Sequence, residues 1–118
     1  ETDYSLAIMI SAKKINGLIS QEKFDTEMAM KKVAELETLV AQVKEADKGG
    51  MNFPFINSAG EYQLAAKKYV RRVRDNVPYS EGDKELLQDP GSSWMVEASY
   101  PAALNEYNEM VGDYNRLR

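Results

Sequence analysis

Glu106, Glu109 and Asp113 stand at i, i+3 and i+7, which places three carboxylates along one flank of a predicted helix. Paired carboxylates serve as acid and base in glycoside hydrolysis when burial drives their pKa values apart. Here Tyr107 and Val111 mark the apolar face on the other side, so water is expected around all three acids and nothing separates them. They also lack the twelve-residue loop pattern of a calcium site. The chain contains no histidine and no cysteine. That removes Ser-His-Asp and Cys-His triads, zinc ligation by thiolate or imidazole, and the Glu-x-x-His di-iron motif. Lysines, tyrosines, hydroxyls and carboxylates remain, and we expect no catalytic centre, no metal and no cofactor.

Four other groupings suit binding better than catalysis. Glu106-Tyr107-Asn108 recurs seven residues later as Asp113-Tyr114-Asn115. Two helical turns separate the copies, so Tyr107 and Tyr114 share a face with Asn108 and Asn115 beside them. Such a face could line a polar groove for a peptide or glycan. The duller expectation is that both rings pack in the core with their hydroxyls bonded. Lys67, Lys68, Arg71, Arg72 and Arg74 form a basic run, suited to an acidic partner or a lipid headgroup, or else a solvated flank of one helix. Met51-Asn52-Phe53-Pro54-Phe55-Ile56 is an apolar segment after two glycines, expected either to plug the bundle end or to form a contact loop. Trp94, beside Met95 and Val96, poses the same choice. Met51, Phe53, Phe55, Ile56 and Trp94 are therefore the candidate partner-binding residues, with Arg71, Arg72 and Arg74 in electrostatic support.

The elements that must position these residues read as helices. Tyr4, Ile8, Ala12 and Ile15 recur at helical spacing from about Asp3, and Asn16-Gly17 is expected to stop that helix. A second, longest helix is expected from Ser20 to Gly49-Gly50, with Met28, Val33, Leu36, Val40 and Val43 on its seam and Leu39 beside it. Ser58-Ala59-Gly60-Glu61 has capping-box spacing and predicts the start of a third, striped by Tyr62, Ala66, Tyr69 and Val73. A polar connection follows from Pro78 to Ser93, with at most a short turn at Glu85-Leu86-Leu87. The last helix is expected near Ser99, because Pro101 fits only a first turn. Tyr100, Leu104, Tyr107, Val111, Tyr114 and Leu117 form its stripe. No segment alternates as a strand does, so the fold is all-α, an antiparallel bundle of three to four helices. Residues 1–118 are expected to form a single helical domain.

Charge and hydropathy limit the setting. The net charge of −4 argues against nucleic acid as a partner, despite five bases against two acids in residues 51–76. The longest strictly apolar run is Leu6 to Ile10, too short to span a membrane. The chain opens on Glu1 with no signal-peptide hydrophobic region, so a processed form or a piece of a longer protein is expected.

The stretch from Tyr100 through Pro101-Ala102-Ala103-Leu104-Asn105 to Asp113-Tyr114-Asn115 resembles the C-terminal end of the YiiG-like family. Ala65-Ala66-Lys67-Lys68-Tyr69-Val70-Arg71-Arg72-Val73-Arg74-Asp75 resembles the helix before it. The likeness covers the chain and corresponds to the second half of the family's usual domain. The resemblance implies a helical domain of the bacterial envelope, periplasmic or lipoprotein-like, with no assigned function and no catalytic residues to carry over. The expectation is thus a non-enzymatic domain that binds another protein, or associates with itself. A secreted toxin is one concrete partner, which would make it an immunity-type inhibitor. The alternative is a small-ligand carrier with a pocket between helices.

Overall fold

A computed structural model of the chain describes residues 4–46, 53–76, 81–88 and 98–116. All five elements are helices: α1 (Tyr4–Ile19), α2 (Thr26–Ala46), α3 (Phe53–Arg74), α4 (Glu81–Gln88) and α5 (Tyr100–Arg116). The all-α expectation holds.

α1 does not stop at Asn16-Gly17. Ile8, Ala12, Ile15 and Ile19 are all buried and lie on one face at steps of four, three and four. A helical glycine costs about 1 kcal/mol relative to alanine, whereas burying an isoleucine gains about 1.5–3 kcal/mol. Ile19 therefore carries the helix through Gly17. The chain then turns, and the Ser20 hydroxyl closes the end by donating to the Gly17 carbonyl at 2.9 Å.

α2 starts later than Ser20, because Asp25 is the better cap. Its Oδ1 accepts from the backbone N–H of Glu27 at 3.0 Å and of Met28 at 3.2 Å, satisfying two of the helix's orphan donors. Ala29, Val33, Leu36, Val40 and Val43 form the buried seam. Ala29 takes the place expected for Met28, which is exposed. The Gly49-Gly50 end lies outside the described residues.

α3 begins five residues before the capping-box pattern. Pro54 occupies its first turn, where a missing N–H costs nothing, and Phe55 and Ile56 are already core residues. The buried face continues through Ala59, Tyr62, Ala66 and Val70, while Val73 is exposed. Asn76 ends the helix in the left-handed region, with φ 54°. α4 is a full two-turn helix inside the expected polar connection. α5 begins near Ser99 as expected, and Ser99 caps it: its Oγ accepts from the Ala102 N–H at 3.1 Å, and its carbonyl from the Ala103 N–H at 3.1 Å.

The packing is antiparallel. Along the α3–α5 seam, Phe55 meets Tyr114, Tyr62 meets Tyr107 and Tyr69 meets Tyr100, so one number rises as the other falls. Phe24, just before α2, meets Tyr69, and Glu37 on α2 accepts from Gln63, which runs α2 against α3 in the same sense. The six-residue turn after Ile19 reverses α1 onto α2. α1 and α3 share the centre, with α2 and α5 on either flank.

Candidate functional site

The α3–α5 seam holds most of the chemically capable side chains. The Tyr62 ring lies edge-on to Tyr107 with centroids 5.4 Å apart, and Phe55 lies against Tyr114 at 5.5 Å. Tyr107 and Tyr114 are thus turned into α3, half-buried, while Asn108 and Asn115 are exposed. The four residues do not converge on a groove. Burial raises the pKa of Tyr62, Tyr69 and Tyr107, and negative charge on neighbouring tyrosines would raise each further. All three remain protonated across ordinary pH and cannot act as bases there.

The carboxylates also differ from the expectation of a wet, unperturbed row. Asp113 is only 15% exposed, accepts a hydrogen bond from the buried Ser58 hydroxyl across the seam, and pairs with Arg116 one turn away. The capping-box reading of Ser58 fails for this reason: its side chain points across to α5 rather than back along α3. Glu106 has its pKa raised, first by partial burial and then by the charges of Glu61 and Glu109. It lines a small cleft of about 230 Å³ with Glu61 and Lys68. Among the described residues, no group of three or more acidic side chains gathers as metal ligands.

Of the candidate contact residues, Phe55 is fully buried and Ile56 nearly so. They plug the bundle and are unavailable to a partner, because the segment continues α3 inward instead of looping out. Met51 and Trp94 lie outside the described residues, as does the side chain of Phe53. Arg71 and Arg74 are exposed and Arg72 is half-buried. Arg74 pairs with the adjacent Asp75 at 3.1 Å, an exposed contact. Arg71 and Arg74 are therefore the exposed flank of a helix, whereas Lys68 lines the small cleft with Glu106.

A different surface emerges on α1 and α2. Ala7, Ile10, Ser11 and Lys14 face Lys32, Glu35 and Leu39 across an open groove of about 590 Å³. Leu6 is 46% exposed and Ile10 49%, on the side of α1 opposite Ile8, Ala12 and Ile15. Periodicity assigned only one face of this helix. The overlooked signal was the unbroken run Leu6 to Ile10, which holds more apolar residues than one core stripe uses.

Fold and surface together define a helical bundle with a filled core and open grooves. Residues 1–116 match the family described as a protein of unknown function (DUF3829), and the chain belongs to it. It is similar to the uncharacterized protein YiiG of Escherichia coli (strain K12), 79% identical over 115 residues, covering 98% of this chain. The chain spans about a third of that relative's length. No solved structure matches it. No helix among the described residues is long and apolar enough to cross a membrane.

Proposed function

We propose that this chain is a non-enzymatic helical domain of the bacterial cell envelope that acts by contacting another protein. The observation that carries the reading is the second apolar face of α1, where Leu6 and Ile10 are left near half exposed outside the core. Ile10 also lines a groove, and apolar surface gathered beside a groove suits an interaction site. The envelope setting rests on the YiiG-like resemblance alone. A non-catalytic role is supported by the engagement of Asp113 with Ser58 and Arg116. A small-ligand carrier has less in its favour: Tyr62, Phe55, Leu36 and Met110 fill the centre, and the grooves described open to solvent.

Native mass spectrometry of the protein recovered gently from its source cells tests the proposal. A discrete added mass of several kilodaltons is expected. An addition of a few hundred daltons would favour the carrier instead, and recovery at the mass of the bare protein alone would contradict a stable partner.

A further inference from the structure

α1 carries two apolar faces, and the bundle uses one. Apolar residues on the outer side of a packed helix offer surface that another element can cover. On the side away from the core, Ile10 lines the α1–α2 groove. Its α1 wall is built from residues at i, i+3, i+4 and i+7 (Ala7, Ile10, Ser11 and Lys14), a straight edge of roughly 10 Å at 1.5 Å per residue. The α2 wall runs from Lys32 to Gln42, roughly 15 Å. Ala7 and Ser11 are small and half-buried, so a third helix can approach closely between the two. These dimensions fit two to three turns of helix lying along the groove.

Charge narrows the occupant. α1 has no acidic residue from Tyr4 to Ile19 and carries Lys13 and Lys14, both exposed. Lys14 and Lys32 line one end of the groove, and Lys31 stands next to it; Glu35 is the acid that lines it. This end is basic on a chain whose net charge is −4. A second copy presenting its own α1 in parallel would bring lysines to lysines, and a flat lipid surface would meet a concave groove only at its rims.

We infer that the α1–α2 groove receives an amphipathic helix of a partner protein, its apolar edge on Ile10 and Leu39 and its acidic flank toward Lys14 and Lys32. The inference rests on the protein-contact reading above and specifies its site and chemistry. Apolar anchors at helical spacing supply the affinity, and the lysines fix direction and speed association.

Two labelled peptides of about 18 residues, long enough to hold a helix, test it by fluorescence anisotropy against the full chain. Both carry leucines at i, i+4 and i+7; one is flanked by glutamates and the other by lysines. The acidic peptide should bind, at least about tenfold more tightly than the basic one, and more weakly as salt rises. Ile10→Asp should reduce that affinity about tenfold or more, as should Lys14→Glu combined with Lys32→Glu. Each variant should keep the wild-type melting temperature, since Ile10 stands outside the core. Equal binding of both peptides, binding indifferent to Ile10→Asp, or no binding at all overturns the assignment. So does tighter binding to anionic phosphatidylglycerol vesicles than to the acidic peptide, or a dimer in sedimentation that Ile10→Asp dissolves. If the groove fails while a kilodalton-scale adduct persists in native mass spectrometry, contact lies elsewhere and the functional reading stands. If no adduct exists either, both fall.

Discussion

At the scale of the residue, the α3–α5 seam makes the most specific demands. The Tyr62 hydroxyl is buried and has no hydrogen-bond partner among the described residues. An unpaired buried hydroxyl costs about 1–3 kcal/mol, so Tyr62→Phe should hold or raise stability in chemical denaturation; a clear loss would show a missed partner. Ser58 and Asp113 behave asymmetrically. Asp113→Ala strands the Ser58 hydroxyl and should cost about 1–3 kcal/mol, whereas Ser58→Ala leaves Asp113 paired with Arg116 and should cost less. The reverse order would show that Ser58 contributes to stability otherwise than through Asp113. The seam also sets a pH limit. Tyr62, Tyr69 and Tyr107 hold their protons more tightly folded than the ordinary tyrosine value of 10.0. Unfolded tyrosines shed protons first, so stability is full below about pH 10 and should fall steadily as pH rises beyond it. A urea midpoint unchanged between pH 9 and 11 would contradict this.

At the scale of the element, the competition between local and tertiary preference decided what was legible. The seams of α2 and α5 were readable because Val33, Leu36, Val40 and Val43, and Tyr100, Tyr107 and Tyr114, recur at steps of three, four and seven. The end of α1 was not, since Gly17 signals a stop and the burial of Ile19 outweighs it. The start of α3 was missed because Phe53-Pro54-Phe55-Ile56 after paired glycines reads as a loop, and Ser58-Ala59-Gly60-Glu61 imitates a cap that the fold does not use. A cap is a local pattern, and nothing local reveals that Ser58 points at Asp113. Two substitutions test these accounts in thermal or chemical unfolding. Gly17 is helical with open space around it, so Gly17→Ala should stabilise by about 0.5–1 kcal/mol; a loss would mean that α1 does end there. Ala98 sits at φ 61°, a conformation that costs a non-glycine residue about 1–2 kcal/mol. Ala98→Gly relieves that strain but loosens the unfolded chain, leaving a net gain of roughly 0.5 kcal/mol; destabilisation would show the strain is absent.

At the scale of the whole molecule, Tyr107, Tyr114, Phe55 and Ile56, singled out in the sequence, serve the bundle, while Asn108 and Asn115 are exposed. Phe55, Ile56, Tyr107 and Tyr114 close its core or line its seam, and their types gave no means of telling a ring turned inward from one offered to a partner. Met28, Leu64 and Val73 are exposed singly, whereas α1 leaves two apolar residues one turn apart; its apolar run was visible, but the excess over one core stripe became apparent only once Ile8 was buried and Leu6 and Ile10 were not. The central claim is that this surplus face meets another protein. The most direct measurement is photo-crosslinking in the source cells, with a benzophenone amino acid at Ile10 and, as control, at the exposed Glu109 on α5. The account predicts a discrete protein adduct from position 10 and none from position 109. Adducts from both positions alike, or from 109 alone, would contradict it.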